Sequence, residues 1–309
     1  MTVFVKDGGS FREISELFVR DGTSYTNKTI TNAYVKDSGS WREIYTLFTA
    51  TSYVTEGPGT HTITVPSLAN AIHIQFAVAG GSGGMRGADY DKAGGESAGP
   101  AGASGGYISD VVYQVTGGET LTAVVGSGGS AGGGVYSGSS GAGGNTTLTG
   151  TSSANIFTLT GGGAASVSGG GVQGPLRTNN ASTAGTGTSQ GTRKTTFTTT
   201  GGLTQASTGS NGFTGGPVGT FNQLGNGNAG TNPGNCGGDN CTIGGGDGGN
   251  SYGSGGNRVS GGSGGPNGST SGTAGTQGSG GGGGGTEPGS SGGGAGGAGE
   301  ITYRFLRTT

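Results

Sequence analysis

Few residues of this chain have the type and spacing that catalysis or metal binding requires. The two histidines, His61 and His73, lie in alternating apolar and polar runs typical of strands. No serine, cysteine or carboxylate pattern around them predicts a catalytic triad. Cys236 and Cys241 match neither a zinc ribbon nor a disulfide framework, although their spacing allows one small loop-closing bridge. We predict a protein that is not an enzyme, with no catalytic, cofactor-binding or metal-binding residues.

Glycine-rich motifs that bind nucleotides or calcium are matched here only in part. G-x-G-x-x-G spacings recur, but no helical periodicity follows them, and no G-K-[ST] is present. Asp89-x-Asp91-x-x-Gly94 copies the opening of an EF-hand loop, but Pro100 stands where the bidentate glutamate is required. Residues 245–252 approximate one RTX nonapeptide, a calcium site that needs tandem copies. These motifs predict no bound ligand.

Composition restricts the function further. Glycine accounts for 82 of the 309 residues and the net charge is −2, so the basic surface of a nucleic-acid binder is not expected. The longest apolar stretch, Ala71–Ala79, is too short to span a bilayer. No charged segment followed by an apolar one opens the chain, so no cleaved secretory signal is predicted. Nucleic acids and membrane insertion are therefore not expected.

An internal repeat occupies the first fifty residues. Each of three copies has an aromatic residue, valine, a basic residue, aspartate, and then glycine or serine, with a second aromatic residue seven positions after the first. Asp-Gly between β-rich runs predicts a tight hairpin, and a hairpin this short is marginal alone. We predict that residues 1–50 are β-hairpins that attach the chain to other proteins; a meander that only caps the next domain is the alternative. The predicted anchoring residues are Phe4, Phe11, Phe18, Tyr25, Tyr34 and Trp41.

Residues 51–163 together with 300–309 have the pattern of an antiparallel β-sandwich. Apolar and polar residues alternate with period two in several short runs. Because the closing strand follows the glycine-rich residues 164–299, those residues form an insertion at one end of the sandwich, where binding loops are commonly carried. The chain is therefore predicted to be all-β. The predicted strands are 60–66, 72–76, 107–115, 121–125, 146–148, 156–159 and 300–305.

Glycines in the insertion follow a three-residue period. Gly-Gly-X triplets recur between Gly237 and Ala298, and three residues per turn is the period of the polyproline-II helix. Where two of three residues lack Cβ, such helices can approach closely and hydrogen-bond backbone to backbone. The sequence predicts a distal bundle of polyglycine-II-type helices and loops, with Gly280–Gly285 at its centre. A flexible Gly/Ser linker is the alternative.

Side chains capable of strong contacts are few in the insertion. Aromatic residues and arginine dominate binding hot spots, and a rigid glycine scaffold would hold them pre-organised. We predict that these residues contact a receptor; the alternative is that the phenylalanines plug the bundle and the charges keep it soluble. The candidate receptor contacts are Arg177, Asn179, Arg193, Lys194, Phe197, Phe213, Phe221 and Tyr252.

Three groups of residues resemble the glycine-rich tail proteins of tailed bacteriophages. FVKDGGSFREI and YVKDSGSWREI are similar to repeats at the start of phage tail and tail-tip proteins. GTHTITVP, IHIQFAVAGGSGG and GGAGGAGEITYRF are similar to the phage glycine-rich domain. The Gly-Gly-X composition resembles the distal polyglycine-II domain of phage adhesins. The resemblance implies a virion component of a tail, fibre or baseplate.

The leading interpretation is a non-enzymatic virion protein that adheres to the host surface. It implies other virion proteins as partners of residues 1–50, a protein or glycan receptor on the host cell, and a homo-oligomer, with a trimer expected for a fibre. A purely structural tail, neck or capsid-associated fibre is the first alternative. A free ice-binding or cell-surface glycine-rich protein is the second, and an ice binder would need a flat, regular face of threonine or alanine.

Overall fold

The computed structural model contains β-strands and no helix in the part of the chain that it describes. That part includes residues 48–85, 100–133, 138–152, 155–168 and 292–308. The other described residues are 4–7, 10–13, 18–21, 24–27, 32–37, 40–46, 178–180, 182–183, 185–192, 194, 213–214, 251–252, 258–259, 262, 271–279 and 281.

The described strands are short and are separated by turns and extended glycine segments. The first six are β1 (Phe4–Asp7), β2 (Ser10–Glu13), β3 (Phe18–Asp21), β4 (Ser24–Asn27), β5 (Asn32–Asp37) and β6 (Ser40–Thr46). The next eight are β7 (Val54–Glu56), β8 (Gly59–Thr64), β9 (Ala71–Val78), β10 (Tyr107–Gln114), β11 (Thr120–Val125), β12 (Gly138–Ser139), β13 (Thr146–Gly150) and β14 (Asn155–Leu159). The remaining strands are β15 (Ser166–Ser168), β16 (Thr178–Asn180), β17 (Thr186–Ser189), β18 (Phe213–Thr214), β19 (Ser251–Tyr252), β20 (Arg258–Val259) and β21 (Glu300–Leu306).

Three antiparallel hairpins occupy the described part of residues 1–50. β1 pairs with β2, β3 with β4, and β5 with β6. In each hairpin the last pair is an aspartate opposite a serine with two residues between them, the spacing that the tight turns of hairpins require. The hairpins predicted from the repeat are thus confirmed. The closing pairs are Asp7–Ser10, Asp21–Ser24 and Asp37–Ser40.

Two larger antiparallel sheets form the body of the protein. The four-stranded sheet has the order β10-β9-β21-β7, and the six-stranded sheet has the order β18-β17-β14-β13-β11-β8. β21, the last strand of the chain, lies inside the four-stranded sheet between β9 and β7. β17 and β18 belong to residues 164–299 and extend the six-stranded sheet beyond β14. Strand pairing therefore crosses the boundary that we predicted at residue 163.

Both sheets contribute to one hydrophobic core. Ile74 of β9 and Tyr113 of β10 belong to the same cluster as Leu148 of β13 and Phe157 of β14, and all four are fully buried. The rings of Tyr113 and Phe157 pack with their centroids 6.2 Å apart. Burial of these side chains is the principal stabilising term available to a chain so poor in apolar residues.

Beyond the core, seven extended segments form a hydrogen-bonded bundle, which we call the glycine bundle. Its central segment, residues 79–85, is completely buried. Every backbone N–H from 79 to 85 donates to a carbonyl of another segment, and the accepting segment changes with a period of three. The donor–acceptor pairs, at N–O distances of 2.8–3.1 Å, are Ala79–Gly106, Ser82–Ala103 and Met85–Pro100, then Gly80–Gly144 and Gly83–Gly141, then Gly81–Gly297 and Gly84–Gly294.

Six described segments surround the central one and close into a ring. Three of them accept the hydrogen bonds of the central segment and run antiparallel to it. The other three donate to its carbonyls, through Gly129 and Gly132, through Gly162, and through Gly281. Antiparallel and parallel segments alternate around the ring, and each bonds to its neighbours. In ring order the segments are 100–106, 160–165, 140–145, 126–132, 292–299, and 278–279 with 281.

The glycine bundle is a continuation of the two sheets. The central segment follows β9 directly, and five ring segments directly precede or follow β10, β14, β13, β11 and β21. Where the strands carry apolar side chains, these side chains fill the space between the sheets. Where the sequence changes to Gly, Ser and Ala, no large side chain separates the backbones, so the backbones approach and hydrogen-bond directly. The sequence change at the strand ends therefore explains the change from sheets to bundle.

The predicted bundle centre, Gly280–Gly285, lies mostly outside the described residues, and a different segment is central in the described bundle. Of Gly280–Gly285, only Gly281 lies within the described residues, and it belongs to the ring, where it donates to the Ser82 carbonyl. The segment with neighbours on all sides is 79–85, which has the sequence AGGSGGM. Glycines before residue 164 therefore supply most of the described bundle.

Candidate functional site

The end of the glycine bundle farthest from the sheets, which we call the remote end, holds the ends of several chain connections. The central segment runs outward from β9 as far as Met85, and the chain returns at Pro100 toward β10. The Met85 N–H donates to the Pro100 carbonyl at 2.8 Å, which ties the outgoing and returning segments together. The other outgoing segments end near Gly132, Ala165 and Gly281. Each connection therefore starts and finishes on hydrogen-bonded backbone.

Met85 and Ala165 form a small apolar cluster at the remote end, and both side chains are fully buried. A Cβ on Gly132 would lie 2.1 Å from the Met85 sulfur, so the methionine fills the space that this glycine leaves. Buried hydroxyls add further ties: Ser182 Oγ donates to the Ala101 carbonyl at 2.7 Å. The described residues of the remote end are therefore packed and hydrogen-bonded to one another.

Chemistry-bearing residues are concentrated in the connection 86–99, which lies outside the described residues and joins Met85 to Pro100. The surrounding glycine-rich sequence is almost free of charge, whereas this connection contains five charged residues and a tyrosine. The receptor contacts predicted from the sequence all lie in residues 164–299 and do not include this connection. The residues are Arg86, Asp89, Tyr90, Asp91, Lys92 and Glu96.

The predicted receptor contacts are only partly covered by the structure. Arg177, Arg193, Phe197 and Phe221 lie outside the described residues, as do Cys236 and Cys241. Lys194 lies beside β10: its N–H donates to the Val112 carbonyl at 3.0 Å, and its ammonium donates to Thr308 Oγ1. Burial lowers the pKa of Lys194. The others are on strands: Asn179 on β16, Phe213 on β18 and Tyr252 on β19.

The six predicted anchoring aromatics all lie on the N-terminal hairpin strands. In each hairpin the second aromatic residue is paired with the basic residue of the repeat. The strand positions are Phe4 on β1, Phe11 on β2, Phe18 on β3, Tyr25 on β4, Tyr34 on β5 and Trp41 on β6, with the pairs Lys6–Phe11, Arg20–Tyr25 and Lys36–Trp41. Their role in anchoring stays a prediction.

A polar cluster on the outer face of the four-stranded sheet was not predicted from the sequence. His73 of β9 is 3% exposed and lies between two partners: its Nε2 is 2.9 Å from Asp110 Oδ1, and its Nδ1 is 3.0 Å from the Tyr53 hydroxyl. The Arg304 guanidinium lies over the Tyr53 ring, 4.6 Å from its centroid. The sequence pattern predicts no catalytic triad around His73 and does not indicate this carboxylate contact. His61 also has one, since its Nδ1 lies 3.1 Å from Glu56 Oε2.

Asp110 occupies a strained backbone position at a sheet irregularity. Its φ is +56°, in the left-handed region that non-glycine residues rarely adopt. Core residues on β10 are spaced three apart there, at Ile108 and Val111, and those on β9 likewise at Ile74 and Ala77. One extra residue on each strand keeps the same face toward the core. Strain of this kind is often found at functional sites.

The stability of the protein is expected to fall as the pH drops below about 6.5, because of His73. Burial, the largest influence, lowers the pKa of His73 from its ordinary 6.5. The unfolded chain then takes up a proton near pH 6.5 that the folded chain does not, so acid favours unfolding until the folded-state pKa is reached. Chemical denaturation between pH 7.5 and 5.5 measures this. The fall in stability should disappear in His73→Gln. It should persist in the control His61→Gln, which replaces the other histidine. A fall that persists in His73→Gln would contradict its assignment to His73.

Threonines line up across the outer face of the six-stranded sheet. Thr60, Val124, Thr147, Thr158 and Thr188 are successive cross-strand partners. Threonine is favoured on solvated strand faces, which accounts for the row without any ligand. Val124 interrupts it, so the row is less regular than the face an ice binder would need.

The described ranges contain no group of three or more His, Cys, Asp or Glu side chains placed to hold a metal ion. They also contain no helix long and apolar enough to cross a membrane. Asp89 and Asp91 of the partial EF-hand motif lie outside these ranges.

In the part of the chain that the structure describes, the fold is all-β, with two antiparallel sheets that continue into hydrogen-bonded glycine segments. The family model described as a glycine-rich domain matches residues 55–306, well over half of the chain. The protein therefore belongs to the glycine-rich domain family. The N-terminal hairpins lie before the matched residues. Among curated proteins, none matches the chain.

Proposed function

We propose that the protein is a non-enzymatic bacteriophage virion protein, of the tail or a fibre, that contacts the host surface through the remote end of its glycine bundle. The observation that carries this proposal is that the connections at the remote end begin and end on hydrogen-bonded backbone. Connections that start and finish on a rigid backbone are pre-organised, so binding loses less conformational entropy than it would with free loops. The charged connection 86–99 is the first candidate for contact with a protein or glycan receptor.

In this proposal the seven segments are polyglycine-II-type helices and the two sheets form a β-sandwich that carries them. The support is the three-residue cycle of acceptors along residues 79–85, which matches the three residues per turn of polyproline II. The core shared by both sheets supports the sandwich. Such a bundle satisfies backbone groups in a sequence too poor in apolar residues to extend the core.

The remaining parts of the proposal concern assembly. Residues 1–50 attach the chain to other virion proteins through the aromatic repeats, and the protein is a homotrimer, since fibres are usually closed cyclic oligomers. Light scattering of the purified full chain measures the oligomer, and an antibody against it would label the tail of the particle. A structural fibre without a receptor is the alternative.

Binding to cells tests the receptor role. Fluorescent full-length protein is titrated onto a panel of bacterial strains, and saturation is measured by flow cytometry. Replacing residues 86–99 by a four-residue Gly-Ser linker is expected to lower binding at least tenfold, because it removes the charged side chains of the connection. Four residues are enough to close the gap, since the Met85 N–H and the Pro100 carbonyl already lie at hydrogen-bond distance. A deletion of residues 164–294 would be a poorer test, because it would also remove β17 and the first residues of the bundle segment 292–299.

The matched control alters the opposite end of the protein. Leu68 is exposed in a turn between β8 and β9, at the end of β9 away from the bundle. Leu68→Ser should leave cell binding unchanged. If the folded full chain binds no strain of the panel, or if the linker variant binds as well as the wild type, the receptor role of residues 86–99 is overturned and a structural fibre is favoured.

A further inference from the structure

We propose that Asp110 and Tyr53 form a shallow binding site for a neutral saccharide on the outer face of the four-stranded sheet. This site is separate from the remote end of the glycine bundle and goes beyond the receptor role proposed for it.

The buried His73 contacts both side chains and holds them where they are exposed to solvent. The Asp110 side chain is 57% exposed, and His73 contacts its Oδ1 at 2.9 Å, which leaves Oδ2 available to a ligand. Tyr53 is 39% exposed, and its hydroxyl is held by the other nitrogen of the same imidazole. A neutral imidazole matches both contacts, since Nε2–H donates to the carboxylate and Nδ1 accepts from the phenol. One carboxylate oxygen and part of an aromatic ring are thus fixed side by side.

The site carries one charge of each sign, Arg304 and Asp110, and so offers no net attraction to a charged ligand. Arg304 lies over the Tyr53 ring and repels a cation that would otherwise bind to its face. The Asp110 carboxylate repels an anion. A neutral ligand that donates hydroxyl hydrogen bonds to Asp110 Oδ2, and packs C–H groups against Tyr53, meets neither penalty. Sugars combine these two features in one ring.

Strain at Asp110 is the observation that a purely structural role does not explain. Aspartate adopts a φ of +56° more readily than most non-glycine residues, but it is still strained there relative to glycine. Glycine would remove that strain. Retaining a strained residue whose carboxylate is mostly exposed is expected of a site selected for binding.

The experiment measures binding and stability together on the full chain. The protein is applied to an array of neutral bacterial oligosaccharides, with uronic-acid and amino-sugar glycans as the charged arm, and the strongest ligand is then titrated by calorimetry. Asp110→Asn keeps an acceptor for His73 but removes the charge. Asp110→Gly removes the carboxylate and the strain. Glu56→Gln on β7 of the same sheet is the matched control.

The expected result is binding to neutral glycans, weakened at least tenfold by Asp110→Asn and lost in Asp110→Gly. The melting temperature should stay within about 2 °C of wild type in Asp110→Asn, because the amide oxygen still accepts from His73. Glu56→Gln should bind normally, and so should the variant lacking residues 86–99, which separates this site from the remote end. Absence of neutral glycan binding, or unchanged binding by Asp110→Asn, would overturn the proposal.

Discussion

Gly83→Ala is expected to destabilise the protein by about 4 kcal/mol or more, because the central segment has no room for a side chain. A Cβ at this position would lie 2.1 Å from the Ser130 carbonyl oxygen and 2.6 Å from its carbon. Both are backbone atoms of a neighbouring segment, which cannot rotate away as the end of a side chain can. Relief requires the central segment and segment 126–132 to separate, and separation breaks the hydrogen bonds that Gly129 and Gly132 donate to the Gly81 and Gly84 carbonyls.

Chemical denaturation of the purified variant measures this loss, and Gly133→Ala is the matched control. Gly133 is an exposed glycine directly after the ring segment 126–132, and a Cβ there meets nothing within 4 Å. Its free energy of unfolding should change by less than about 0.5 kcal/mol, or rise slightly as the unfolded chain loses freedom. Equal, small effects of both substitutions would mean that the segments do not pack backbone to backbone.

The N-terminal hairpins and most strands could be predicted because their signals are local. Aspartate before glycine or serine, between β-favouring residues, specifies a turn without reference to the rest of the chain. Period-two alternation in β8 and β9 likewise indicates which side chains face a core. Such information is contained in a few neighbouring residues, so a single sequence is sufficient.

The arrangement of the glycine bundle could not be predicted because glycine has no side chain to specify a partner. Gly-Gly-X triplets indicate a three-residue period but not which segments are neighbours. The central position of residues 79–85 follows instead from strand topology, since this segment continues β9. Ser82 is the one residue with a Cβ between Gly80 and Gly84, and its Oγ accepts the Ala103 N–H at 2.8 Å. Nothing in the local sequence indicates that contact.

The polar cluster was missed because its members are distant in sequence. His73 and Asp110 are 37 residues apart and meet because β9 and β10 are paired. Tyr53 precedes β7, which reaches the same sheet only through β21. Pairing of the last strand with an early one is a property of the complete fold. The residues with the clearest chemical arrangement in the described chain were therefore absent from the sequence-based candidates.

A buried carboxylate at the end of the sheets away from the glycine bundle gives the second large effect. Glu119 is 6% exposed and lies in the turn between β10 and β11. Its Oε1 accepts the Thr116 N–H at 2.6 Å, and its Oε2 accepts the Ser152 N–H at 3.1 Å. The two oxygens thus join the turn before β11 to the turn after β13. Both partners are backbone donors, and each requires an acceptor when buried.

Glu119→Gln is expected to lower the free energy of unfolding by about 2 to 3 kcal/mol, although it changes one atom. The glutamine amide offers one acceptor and one donor group, so its NH₂ must face one of the two backbone N–H groups and leave that donor unsatisfied. Urea denaturation measures the loss. Glu300→Gln is the control, because the side-chain contacts of Glu300 are long, at 3.4 Å, and its loss should be below about 1 kcal/mol. A Glu119→Gln variant as stable as wild type would show that the carboxylate does not join these turns; the distances and burial predict the reverse.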